Sequence, residues 1–252
     1  MKLILTICFC FGSLFTIAQF KESFYALDSN WKQTDEKSAK YLLWIHKDSA
    51  ENWEYNYYHM WGPMIKLQTF KDHDGTILNG LSCYYYTTGN LDSVGHYKDG
   101  KKDGKFYKYA FLPHDTLRET TIYTYLNDSL LNTLSPGKDS AVIRNHKDSA
   151  NENESKFPGG MYQWQHYLQH NLQYPDRAAT QEIQGEVRTY FIIDEQGNVL
   201  DPIVSRSVEY SLDRESLRII VNSGKWEPAS ENGRNVISYK TQPIVFRLEV
   251  SK

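Results

Sequence analysis

Between residues 53 and 125 tyrosines recur in short runs that are punctuated by Gly, Asn and Asp. Tyr84-Tyr85-Tyr86 stands between Asn79-Gly80 and Gly89-Asn90, and His96-Tyr97-Lys98 runs into Asp99-Gly100. Asp103-Gly104 restarts the pattern with Phe106-Tyr107-Lys108-Tyr109, and an earlier copy runs Tyr57-Tyr58, Gly62, Phe70-Lys71-Asp72. The copies are spaced by roughly 24 to 28 residues. Aromatic side chains fit a pleated surface. Gly, Asn and Asp supply the positive φ that tight hairpin turns need. A single hairpin cannot bury its own aromatic face, so the copies must stack on a shared core. The pattern thus predicts an antiparallel β-hairpin module over residues 19–134. Residues 24–50, with Trp31, Tyr41 and Trp44, add a lead-in strand or helix.

These residues resemble the MORN-variant repeat: Asn/Asp-Gly, a Tyr-rich strand, a second Gly, then a Tyr-Lys-Asp-Gly turn. The resemblance is clearest at 79–109 and departs at Leu112-Pro113-His114-Asp115, where a Gly turn is expected. It implies a structural or interaction module and no chemistry.

The first residues read as an export signal, residues 1–18. Lys2 is a short basic start, residues 3–18 are almost wholly apolar, and Thr16-Ile17-Ala18 precedes Gln19 as a cleavage site. The stretch is shorter than the roughly 20 apolar residues of a spanning helix. Cys8 and Cys10 would leave with it, so the mature chain keeps only Cys83 and can form no intrachain disulfide or Cys-based zinc site. Cys83 itself reads as a small buried hydrophobe of a strand. With Lys plus Arg at 28 against Asp plus Glu at 31, and no basic cluster, nucleic acid is not an expected partner.

After residue 134 the composition turns polar. Residues 135–156 read as a linker, interrupted only by Ala141-Val142-Ile143. Beyond it the periodicity becomes α+β. Met161, Trp164, Leu168 and Leu172 are spaced as on one helix face. Pro175 opens a short second helix through Gln181. Residues 186–193 and 199–205 read as a hairpin about Asp194 and Gly197. Ser211 is the expected N-cap of a helix with Asp213 in its first turn and Leu212, Leu217, Ile220 and Val221 inward, closed by Gly224. Residues 236–250 read as one long final strand.

Six separated motifs in this half are similar to the TonB C-terminal domain over about residues 155–249. They are Phe157-Pro158-Gly159-Gly160; Tyr174-Pro175; Gly185 at a strand start; the Asp194 to Gly197 turn; Leu212-Asp213; and Trp226 with Pro228, leading to Pro243 and Phe246. These positions read as structural. The resemblance implies an α/β sandwich with a short antiparallel sheet over 157–250. It also implies that the domain captures an extended peptide of an outer-membrane receptor, or of another periplasmic protein, by β-strand addition. The candidate edge is the final strand: Ser238, Tyr239, Lys240, Thr241, Gln242, Ile244, Val245 and Phe246, with Pro243 removing one donor. A TonB energy transducer also needs a membrane anchor and a Pro-rich spacer. Here the spacer is replaced by the Tyr-rich module, and Pro totals 8 in the chain.

Catalytic and metal signatures are weak. His166 and His170 have the i, i+4 spacing of metal-binding helices, but Tyr167 stands where a zincin carries Glu. No nucleophile elbow, P-loop or dinucleotide fingerprint occurs. Six Asp-Ser/Thr pairs followed by a small or aliphatic residue, at Asp48, Asp92, Asp115, Asp128, Asp139 and Asp148, resemble a bacterial O-glycosylation acceptor and equally fit turn chemistry. The expectation is a non-enzymatic, cofactor-free, metal-free periplasmic binding protein related to transport across the outer membrane. Its alternatives are an anchored TonB-type transducer facing the periplasm from the inner membrane, and a periplasmic enzyme whose site the sequence does not display.

Overall fold

The computed structural model describes residues 22–48, 50–112, 116–135 and 153–248. The stretch read as an export signal, residues 1–18, lies outside these residues, as does most of the polar stretch after residue 135.

The Tyr-rich half is one ten-stranded antiparallel sheet. Its strands are β1 (Ser23–Leu27), β2 (Tyr41–Lys47), β3 (Trp53–His59), β4 (Met64–Phe70), β5 (Leu78–Tyr85), β6 (Leu91–Lys98), β7 (Lys101–Lys102), β8 (Gly104–Leu112), β9 (Thr116–Leu126) and β10 (Ser129–Leu134). They lie side by side in chain order, except that the short β7 pairs only with β6. The turns use the expected chemistry. Asp99 and Gly100 have φ of 51° and 82°, and Asn127 and Asp128 have 49° and 69°, the left-handed pairs that two-residue hairpins require. Asn79-Gly80 is a correction. Both residues lie inside β5, where Gly80 pairs with Tyr97. The β4–β5 turn sits earlier, where the Asp72 carboxylate accepts the N–H groups of Thr76 and Ile77 at 2.8 and 3.0 Å.

One face of this sheet carries a core of Leu42, Trp44, Tyr58, Met64, Leu67, Cys83 and Leu91. A smaller cluster of Ile45, Tyr55 and Phe70 lies apart from it. Burial pushes the Cys83 thiol well above its ordinary pKa, which suits a packing role rather than a reactive one.

The second half carries α1 (Gly160–Asn171), α2 (Asp176–Thr180), β11 (Gly185–Ile193), β12 (Val199–Arg206), α3 (Tyr210–Val221), β13 (Ala229–Glu231), β14 (Arg234–Val236) and β15 (Ser238–Phe246). β11 is the centre of a three-stranded antiparallel sheet in the order β12-β11-β15, and β13 and β14 form a separate hairpin. Alternate residues of β11 (Val187, Thr189, Phe191, Ile193) are fully buried with Trp164, Leu212, Ile219, Ile220, Trp226, Ile244 and Phe246. The fold class is therefore an antiparallel β module followed by an α+β unit with a short antiparallel sheet.

Three details differ from the sequence reading. The final strand is not continuous over 236–250: residues 234–236 belong to the β13–β14 hairpin, and β15 begins at Ser238. The N-cap of α3 is Glu209, whose carboxylate accepts the Ser211 N–H at 2.8 Å. Met161 and Val221 are 66% and 60% exposed. Tyr167 and Ile219 take inward positions instead, and the Tyr167 hydroxyl donates to the Ile219 carbonyl at 3.0 Å, joining α1 to α3.

Candidate functional site

β15 pairs with β11 residue for residue, from Gly185 opposite Phe246 to Ile193 opposite Ser238. The final strand does not outrun its partner, although it read as unusually long. Its opening is lateral instead. β15 is the outer strand of the sheet, and among the described residues no strand pairs with its far side. Pro243 fixes which groups face outward. It has no N–H, yet it sits opposite Arg188 within an unbroken ladder, so its nitrogen faces away from β11. Backbone groups alternate sides along a strand, so the N–H groups of Tyr239, Thr241 and Val245 point outward too. The side chains alternate as well: Gln242, Ile244 and Phe246 are buried, while Tyr239 and Val245 are 56% and 45% exposed. Tyr239 stacks on Tyr190 of β11, with ring centroids 6.0 Å apart. Lys240 is turned inward and donates to the Ser155 carbonyl at 2.8 Å.

The opposite edge of the sheet is occupied at the C-terminal end of β12. Asn90 bridges to Arg206 at the end of β12. The Ser207 N–H donates to the Gly89 carbonyl at 2.8 Å, and the Tyr85 hydroxyl to the Val204 carbonyl at 2.8 Å. Gly89 has a φ of +84°, and a Cβ there would come 2.1 Å from the Ser207 carbonyl oxygen. Only glycine allows this approach.

A buried polar seam extends the contact. The Ser207 hydroxyl accepts the Met64 N–H at 2.7 Å and donates to Asp213 at 2.5 Å. Asp213 also accepts the Val208 N–H at 3.1 Å. Burial pushes the Asp213 carboxyl up to about 7, against the lowering effect of those bonds. Arg177 spans the junction: it donates to Glu209 at 2.7 Å and to the Met60 carbonyl at 2.5 Å, with its guanidinium 3.9 Å from the Trp61 ring centroid. Tyr210 inserts its ring among Phe24, Trp44 and Tyr58, all edge-on at 5.2 to 5.8 Å. The Tyr-rich sheet and the α+β unit are thus packed on each other. None of Gly89, Arg177, Ser207, Glu209 and Tyr210 was singled out by sequence reasoning as a contact. The one available signal was the crowding of polar groups, Ser207, Glu209, Ser211 and Asp213, at the start of an otherwise buried helix.

The motif residues take packing roles. Trp226 is 3% exposed and sits 5.6, 5.6 and 5.2 Å from Phe157, Trp164 and Phe191, while its indole N–H donates to Ser223 at 2.9 Å. Gly197 has φ +83°, and a Cβ there would lie 2.1 Å from the Trp226 carbonyl oxygen. Asp194 accepts the N–H groups of Gln196 and Asn198 at 2.9 and 2.7 Å and so closes that turn. The Tyr174 hydroxyl donates to the Ile183 carbonyl at 2.6 Å, and a Cβ on Gly185 would lie 3.0 Å from the Val208 side chain. Gly159, at φ +77°, turns the chain into α1, behind Pro158 and ahead of Gly160. Pro175 caps α2. Pro228 precedes β13.

His166 and His170 stack on each other at 4.1 Å, and the His170 ring bonds the His166 carbonyl. Among the described residues no group of three His, Cys, Asp or Glu is placed to hold a metal ion. No helix among them is long and apolar enough to cross a membrane.

The family model described as Gram-negative bacterial TonB protein C-terminal matches residues 170–248. The match begins near the end of α1 and runs to just beyond β15, so this span is a TonB C-terminal domain, with Phe157 and Trp164 packing into its core from ahead of it. The match covers none of the Tyr-rich sheet. No curated protein and no solved structure matches the chain.

Proposed function

We propose that this is a non-enzymatic protein of the periplasm whose TonB C-terminal domain receives an extended segment of a partner protein as a fourth strand along β15. The observation that carries this reading is the asymmetry of the sheet. The C-terminal end of β12 is held by the Tyr-rich module through Gly89, Asn90 and Tyr85, whereas among the described residues β15 has no such neighbour along its outer side. An edge that offers unpaired N–H and C=O groups is a template for strand addition. The matched family supports an outer-membrane receptor as the partner and a location in the cell envelope. The Tyr-rich sheet then serves as a rigid mount that holds the domain at the end of its other edge.

The test is Thr241→Pro, which removes an outward donor while leaving the β11 side of the ladder unchanged. Each bond lost to an incoming strand is worth about 0.5–1.5 kcal/mol. Receptor-derived peptides titrated by NMR should bind wild type and lose about tenfold or more in affinity to the variant, because the proline ring also obstructs its neighbours. Wild-type affinity in Thr241→Pro, or shifts confined to another surface, would remove β15 from the site. N-terminal sequencing of the exported protein separates a cleaved from an anchored form: Gln19 at the new N-terminus excludes the transducer reading.

A further inference from the structure

The face of the Tyr-rich sheet turned away from Tyr210 carries a hollow of about 300 Å³ across β5, β6, β8 and β9. Tyr97, Phe106, Tyr123 and Tyr125 wall it, with Lys102 at its rim. Its floor is built by an absence. A Cβ on Gly95 would lie 2.1 Å from the Phe106 ring, so only glycine lets that ring lie against the sheet. Beside it, across the β5–β6 ladder, stands Ser82. It is 0% exposed, and its hydroxyl has no hydrogen-bond partner among the described residues. A buried hydroxyl left unpaired is costly, and this one lies in the floor of a depression lined by rings. The Lys102 ammonium lies 5.5 and 4.9 Å from the Phe106 and Tyr125 ring centroids, and among the described residues no ion pair engages it. The second lysine of the lining, Lys108, is already held by Asp92 at 2.5 Å. The lining contains no carboxylate.

We propose that this hollow binds one or two sugar rings of an acidic glycan, with the carboxylate on Lys102 and a sugar hydroxyl on Ser82. The volume is at the low end of ligand sites, which run to about 300–1,000 Å³, so it suits a short stretch of a chain. Tyr rings offer an apolar face with a polar tip, which matches a sugar's C–H faces and hydroxyl rim. Phe106 meets Tyr97 and Tyr125 edge-on, at 84° and 77°, so it stacks face to face with neither. The lone unpaired ammonium among apolar walls supplies the charge complementarity for a carboxylate.

The experiment is a ¹⁵N NMR titration of the whole protein with tetragalacturonate, maltotetraose and a tetraglutamate peptide, on wild type, Lys102→Gln and Ser82→Ala. Lys102 is at the surface rim, so its variant keeps the wild-type spectrum away from the hollow. The expected result is saturable shifts at Gly95, Tyr97, Lys102 and Phe106 with tetragalacturonate alone. Affinity should fall about tenfold in Lys102→Gln, the worth of one charge-assisted bond, and severalfold in Ser82→Ala. Equal binding of maltotetraose, equal binding of tetraglutamate, unchanged affinity in Lys102→Gln, or no shifts with any probe would each overturn the proposal.

Discussion

Replacing Ser207 by alanine should loosen the junction between the two halves of the protein while leaving both cores filled. The substitution removes one oxygen that serves two buried partners. The Met64 N–H, on a residue 2% exposed, loses its acceptor at 2.7 Å. An unsatisfied buried donor costs about 1–3 kcal/mol. Asp213, 0% exposed, loses the hydroxyl donor at 2.5 Å, worth about 1–2 kcal/mol more, because the carboxyl keeps Val208 as a donor. The sum is about 2–5 kcal/mol, a large share of the roughly 5–15 kcal/mol that stabilises a folded protein. Urea denaturation gives the total. Hydrogen exchange at the Met64 amide assigns it, since that N–H should lose protection while amides of β11 keep theirs. A double-mutant cycle with Asp213→Asn should show coupling of about 0.5–3 kcal/mol. A destabilisation below about 0.5 kcal/mol, with residue 64 protected as in wild type, would refute the seam.

Two further outcomes follow from the same geometry. Trp226→Ala should cost about 3–5 kcal/mol by urea denaturation, because the indole fills the centre of the α+β core among Phe157, Trp164 and Phe191; a loss under 1 kcal/mol would place the ring outside the core. Stability should fall as pH rises from about 4 through about 7, because burial raises the Asp213 carboxyl to about 7 in the folded protein. The folded state then holds a proton that the unfolded chain releases near its ordinary carboxylate range. Thermal melts across that window should show the decline in wild type and a flatter profile in Asp213→Asn; equal slopes would assign the dependence elsewhere.

The β15 edge illustrates how sequence and structure divided the problem. The resemblance to the TonB C-terminal domain made this stretch the edge candidate, with Pro243 read as one lost donor, and the register with β11 puts that loss on the outward side. Its length was misjudged because the β13–β14 hairpin and the final strand are separated by Ile237 alone, too short a break to disturb the pattern. Gly80 shows the converse error. Asn-Gly is a strong hairpin signal, but here the positive φ lies inside β5 beside Thr69, and the Asp72 turn does the reversal.

By itself the sequence determined the local periods: a Tyr-rich antiparallel meander, then helices and a short sheet carrying the TonB-type motifs. Backbone conformational limits and side-chain periodicity act over a few residues, so a linear chain displays them. Tertiary structure alone decided that the two halves pack together, that the C-terminal end of β12 is held and β15 open, and that Glu209 rather than Ser211 caps α3. Gly89 and Ser207, or Met60 and Arg177, are more than a hundred residues apart. Their contact depends on close approach and on satisfying buried donors, and neither leaves a periodic trace in the chain.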